Sequence, residues 1–392
     1  LSSGRSFTNG FPHTLFAWLR REHPVWWHEA TDHTPDGVGF WVVSRHADSV
    51  TVMRDAVTFS SGQGGTAIVD TPAASVTLNQ SDDPQHHRLR SLVNRGFTPT
   101  TIGRLEGELR QRAESIVESV PVGKPFDFVA VVAQELPLQA ICSILGVSQA
   151  DRARLARIVN AGLEAQTGEV LGSDHVRELG AYAQALIEEK RRHPGDDIFT
   201  IVVHAGRDGS AEPLTDKELR AFFTLLFPAG AETTRGAIAG GVLALVEHPD
   251  QRERLRVDPG AIKTAVEEIV RWTSPSAYKR RTATRDVQLA DTLIRRGDKV
   301  TYWEMSANRD ESVFEDPSRF DVTRHPNPHV GFGLGSHFCL GASLARLELR
   351  IMLETLLARF DWFETVGAPT WPPNNRLIGM THLPLVAYPG GP

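Results

Sequence analysis

The chain has two cysteines, and only one stands where sulfur chemistry is expected. Cys339 lies in Phe332-Gly333-Leu334-Gly335-Ser336-His337-Phe338-Cys339-Leu340-Gly341, directly before an apolar helix that runs from about Leu340 to Arg359. A thiolate at a helix N-terminus is favoured by the dipole and the free amides. The glycines let the backbone approach a flat partner closely and offer N–H donors to sulfur. These are the requirements of a thiolate that ligates haem iron. Cys142, inside the apolar run Leu138–Gly146, reads instead as a buried packing residue.

A second pattern lies midway along a long helical stretch, in Ala229-Gly230-Ala231-Glu232-Thr233-Thr234. Gly and Thr weaken a helix locally. The Thr233 hydroxyl can bond the carbonyl four residues back, that of Ala229, and open the ladder enough to admit a water. The same Ala-Gly pair also suits close helix packing. A third pattern, Glu268-Ile269-Val270-Arg271, puts opposite charges at i and i+3 on one helix face. Pairs at that spacing are usually exposed and worth less than about 1 kcal/mol.

Together these residues resemble the cytochrome P450 superfamily of haem-thiolate monooxygenases, in its soluble bacterial form. Phe332, Gly335, Cys339 and Gly341 match the family pattern F-x-x-G-x-x-x-C-x-G, and residues 229–233 are similar to its A-G-x-[D/E]-T oxygen groove. The resemblance runs from about Trp41 to the C-terminus. It implies haem b with Cys339 as axial ligand, Phe332 in the cofactor-binding set, and Glu232 and Thr233 supporting proton delivery to dioxygen. It also implies that the Glu268–Arg271 pair is buried and joined by a further arginine, for which Arg319 and Arg324 are both candidates. Residues 82–90, Asp-Asp-Pro-Gln-His-His-Arg-Leu-Arg, are similar to the family's D-P-P-E-H-x-R-L-R. That likeness assigns haem-propionate contacts to His86 and Arg90, with Arg281 and His337 completing the set. Four departures concern shape: Asp83 and Gln85 replace a Pro and a Glu, Asp291 stands where a turn Gly is common, and Pro228 precedes the groove.

The elements that must position these residues read as a helix-dominated α+β chain with small peripheral sheets, forming a single domain over residues 1–392. Thr215 and Glu218 form a capping box. The helix they start continues to Glu247, 33 residues counting Thr215, or roughly 50 Å. It is too apolar for a surface and is expected to cross the core. Helices are also expected over His86–Arg95, 126–145, Ala150–Asn160, Val176–Arg192 and Ala261–Trp272. Strands are expected at Trp26–His28, Gly39–Ser44, Val287–Leu289, Thr292–Ile294, Val300–Tyr302 and near His382–Tyr388. The stretches Phe59–Asn79 and Ala161–Ser173 read as loops that gate a pocket.

Charge counts of 42 Lys+Arg against 48 Asp+Glu give −6, which disfavours nucleic-acid binding. No apolar run spans a bilayer, and there is neither a signal segment nor a disulfide framework, so a cytoplasmic protein without a membrane anchor is expected. The resemblance implies insertion of one oxygen atom from O2 into a C–H bond of a hydrophobic substrate. Steroids, terpenoids and lipids are the leading classes, with a tailoring oxidase of secondary metabolism or a non-catalytic haem sensor as alternatives. An apolar pocket is expected near Leu226, Ala229, Ala277 and Ile378. Electrons are expected from a separate ferredoxin and ferredoxin reductase, docked through Arg88, Arg346 and Arg350.

Overall fold

Thr215 accepts a hydrogen bond from the Glu218 amide while the Glu218 carboxylate accepts from the Thr215 amide, so the capping box forms. The helix it starts, Asp216–Glu247, runs unbroken through Pro228 and buries Phe222, Phe223, Phe227 and most residues from Ala231 to Leu245. In the computed structural model, which describes residues 1–71, 74–164, 173–207, 209 and 212–390, this helix is the axis of the molecule. It packs against helices Glu135–Leu145, Ser173–Arg192, Ile262–Thr273 and Ala342–Arg359. Phe199, Phe223 and Phe227 line up along its first half with ring centroids 5.7 and 5.9 Å apart.

A five-stranded sheet flanks the helices in the order Val25–His28, Phe40–Val43, Lys299–Trp303, Tyr278–Ala283, Phe59–Ser60. The pairing of Phe40–Val43 with Lys299–Trp303 is parallel, and the other pairings are antiparallel. Strand Tyr278–Ala283 matters most for the site. Its alternation sends Arg280 and Thr282 to one face and Lys279 and Arg281 to the other. Arg280 donates to the carbonyls of Gly64 and Ala67, and the Tyr278 hydroxyl accepts from the Ile68 amide. The described part of the expected gating loop 59–79 is therefore anchored to the sheet. The second expected gate, 161–173, lies largely outside the described residues.

One expected helix is corrected. Residues 126–145 begin with the strand Pro125–Asp127, paired to Pro384–Pro389, followed by a π-helical turn at Val129–Ala133 and then helix Glu135–Leu145. The Asp127 carboxylate accepts from the amides of Val129 and Leu383, which ends the strand and ties it to the C-terminal segment. A strand at Phe360–Thr365, which was not among the expected strands, completes that three-stranded sheet. The turn at Asp291 closes with Ala290 in the left-handed region, φ +48°. Among the described residues no single helix is long and apolar enough to cross a membrane.

Candidate active site

The Cys339 loop is shaped by its glycines. Gly333 and Gly335 have φ of +67° and +73°, and a Cβ on Gly335 would lie 3.0 Å from the Met53 carbonyl oxygen. The Cys339 amide donates to the Phe332 carbonyl at 2.9 Å, closing the loop so that Cys339 precedes helix Ala342–Arg359. The guanidinium of Arg346 stacks on the Phe332 ring, 4.4 Å from its centroid, and holds that residue from behind. Cys339 has open surface although it lies deep in the protein. Ala229 also has open surface, midway along the core helix, while Phe227 and Ala231 beside it are buried. Burial pushes the Cys339 thiol pKa up, against the opposing pull of the Gly341 amide, Lys279 and Arg90. A cation at sulfur is what such a site needs to hold the thiolate.

The predicted propionate partners converge. The rings of His86 and His337 are 4.1 Å apart. Burial and the nearby Arg281, His86 and Arg90 push His337 down to about 2, so it is a neutral imidazole, with Nε2 3.1 Å from the Ser61 hydroxyl. His86 is lowered too, first by burial, and its Nε2 is buried without a partner. Arg281 bonds the Arg280 carbonyl and lies over the Tyr302 ring. Among the described residues neither Arg90 nor Arg281 pairs with a carboxylate. His86 Nδ1 lies 3.5 Å from the Asp83 carboxylate, and the two guanidiniums left without a carboxylate partner among the described residues fit a dicarboxylate such as haem.

On the central helix Thr233 donates to the Ala229 carbonyl at 2.8 Å, as its spacing predicted. Glu232 is buried and forms an ion pair with Arg235, one turn further on. Burial raises the Glu232 pKa, and Arg235 opposes the rise.

The Glu268–Arg271 pair is fully buried, with two contacts of 2.7 Å. Arg324 is the joining arginine, its Nε 3.2 Å from the Glu268 carboxylate. Arg319 contributes only its backbone carbonyl, which accepts from Arg271 and Arg324. Two expectations need correction. Arg88, Arg346 and Arg350 do not present free positive charge: they pair with Glu218, Glu267, and Glu106 with Glu354, respectively. Ala277 and Ile378 do not open onto a pocket, because they are packed in a core with Ile68 and Trp303, whereas Leu226 is half-buried and Ala229 open. Sequence reasoning missed Arg235, Ser61 and Lys279. The i, i+2 spacing of Lys279 from Arg281 was a usable signal.

Known proteins resemble this chain in sequence and in fold. The cytochrome P450 family model matches residues 261–386. Cytochrome P450 126 of Mycobacterium tuberculosis is 51% identical, covering 98% of this chain and 96% of that protein. A methyl-branched lipid omega-hydroxylase of the same organism is 44% identical, covering 87% of this chain and 83% of the relative. The solved structure of a Mycobacterium marinum cytochrome P450 in complex with pseudoionone superposes with a TM-score of 0.89 at 38% identity, covering 95% of this chain and 94% of that one.

Proposed function

The chain belongs to the cytochrome P450 family, and from that membership we propose that Cys339 ligates the haem iron and that the enzyme hydroxylates a methyl-branched or terpenoid lipid. The protein is a haem-thiolate monooxygenase with the P450 fold. The observation that carries the assignment of residues is the convergence of His86, His337, Arg90 and Arg281 near an exposed Cys339, with neither arginine paired to a carboxylate among the described residues.

Each residue then has a task. Cys339 holds the iron, and the Gly341 amide moderates the charge on sulfur. Arg90, Arg281, His86 and His337 take the haem carboxylates, and Phe332 supports the Cys loop. When bound, the haem supplies dioxygen binding and oxygen transfer, with thiolate electron density favouring O–O cleavage. Glu232, whose pKa burial raises against the pull of Arg235, offers a group that can exchange a proton one residue from Thr233. Thr233 passes protons to the oxygen side once its hydroxyl leaves the Ala229 carbonyl. Electrons come singly from a ferredoxin and its reductase, in the cytoplasm. The substrate class rests on the relative's lipid and on the apolar residues Leu226 and Ala229.

The test is a titration of the ferric protein with methyl-branched fatty acids, terpenoids and steroids, followed at the haem Soret band. A saturable low-to-high-spin shift with the first two groups is expected. A shift with steroids alone would overturn the substrate class. Absence of a thiolate-type haem spectrum would overturn the role of Cys339.

A further inference from the structure

Pro228 lies inside the central helix Asp216–Glu247, and the reaction gives it no task. A proline has no amide hydrogen, so the carbonyl four residues back, that of Thr224, loses its helical donor. The ring also crowds that carbonyl and tilts it away from the helix axis. Among the described residues no side chain donates to it.

Thr224 adds a second acceptor of its own. Its hydroxyl donates to the carbonyls of Arg220 and Ala221, at 2.9 and 3.1 Å. Those bonds occupy its single proton and leave lone pairs on the oxygen. No described group donates to that oxygen. One residue therefore offers two acceptors and no donor. Such a pair calls for a ligand that brings a proton, because a partly desolvated acceptor without a donor is unfavourable.

The helix turns this pair towards its uncovered side. Thr224, Leu225, Leu226 and Pro228 are half-buried and Ala229 is open, whereas Phe223, Phe227 and Ala231 are buried. Residues i and i+4 lie one above the other, so the freed carbonyl sits beside the Pro228 ring at the edge of that side. Thr233 follows Thr224 by nine residues, about 13 Å along the axis.

We propose that the Thr224 carbonyl and hydroxyl oxygens form an acceptor-only subsite that binds a hydroxyl group of the substrate, with the carbon to be oxidised held towards Thr233. The inference deepens the reading of this helix side as the substrate side of a monooxygenase, and rests on it. The ligand is an elongated isoprenoid or lipid alcohol. Ketone, ether and carboxylate oxygens bring no proton and are not held there.

The test titrates the haem-loaded enzyme at the Soret band with two pairs of probes, farnesol against its methyl ether and a 3-hydroxysteroid against its 3-methyl ether. Using two scaffolds separates the subsite from the choice of substrate class. The parent is expected to bind at least one alcohol about tenfold more tightly than its ether, the size of one hydrogen bond. Pro228→Ala returns an amide donor to the Thr224 carbonyl, and Thr224→Val removes the hydroxyl oxygen. Each should shrink the alcohol's advantage about threefold or more and leave the ether's affinity in place, while Thr224→Ser should keep the advantage. Equal weakening of alcohol and ether would mean that these residues only shape the helix, and would overturn the proposal. So would a parent with no alcohol advantage in either pair, or an advantage unchanged in both variants. A parent lacking a thiolate-type haem spectrum would instead remove the monooxygenase reading itself.

Discussion

At the scale of single residues, Thr233 and Glu232 are set on one helix turn but held by different partners, the Ala229 carbonyl and Arg235. Removing each has a different expected signature. Thr233→Ala should leave haem binding intact and divert reducing equivalents to peroxide, measured as peroxide formed per electron pair consumed. Glu232→Gln should slow oxygen-dependent turnover by about 10²-fold with little change in substrate affinity, the size expected for a lost proton-transfer group. Arg271 answers to stability. It fills a site with no exposure and donates to Glu268 and to three carbonyls, those of Asn308, Pro317 and Arg319. Arg271→Met leaves the Glu268 carboxylate buried opposite an apolar side chain. It is expected to cost about 3–5 kcal/mol in denaturant unfolding, enough to prevent isolation of folded protein at moderate temperature.

At the scale of elements, the capping box does more than start the central helix. Glu218 also accepts from Gln85 and Arg88, so the helix start is fastened to helix Gln85–Val93, which carries His86 and Arg90. Thr215→Ala should cost about 1 kcal/mol of stability, seen as a lower unfolding midpoint at unchanged denaturant slope. A second fastening joins the Cys339 helix to helix Ile262–Thr273 through Arg346, Glu267 and His329. Burial opposes ionisation of Glu267, but the hydrogen bonds from Arg346 and His329 prevail and hold its pKa at about 2. Because the folded value lies below the unfolded one, this stabilisation is complete above pH 4.5 and is lost as the pH falls towards 2. The loss is on the order of 2 kcal/mol after allowing for partial exposure. Unfolding of Arg346→Gln followed between pH 6 and pH 3 should show a shallower acid decline than the parent, because the variant lacks most of what acid removes.

At the scale of the molecule, the cluster near Cys339 is a cost that the cofactor relieves. It holds Arg90 and Arg281 without carboxylate partners among the described residues and the unpartnered Nε2 of His86, groups that a bound dicarboxylate would satisfy. Extraction of haem should therefore lower the melting temperature, and adding haem back should raise it in a concentration-dependent way, as ligand linkage requires. An apoprotein melting at the same temperature as the loaded enzyme would contradict this account of the cluster.

The chemistry-bearing residues were legible because their requirements are local. A thiolate needs glycine-shaped backbone and helix amides close by in sequence, and a Thr that bonds back four residues is read from spacing alone. The central helix was legible from its cap and its length. The strand at Pro125–Asp127 was not, because its partner is a segment more than 250 residues away and nothing in its own composition announces that pairing. The choice of Arg324 over Arg319 was decided the same way, by which side chain the fold brings to Glu268. Tertiary structure also cancelled the three-arginine docking patch, since each guanidinium found a carboxylate contributed by another segment, with Arg350 meeting Glu354 on its own helix as well. Sequence by itself thus singled out the residues proposed to do the chemistry. Which charges remain unpaired around them depends on long-range packing, and only the tertiary structure decided that.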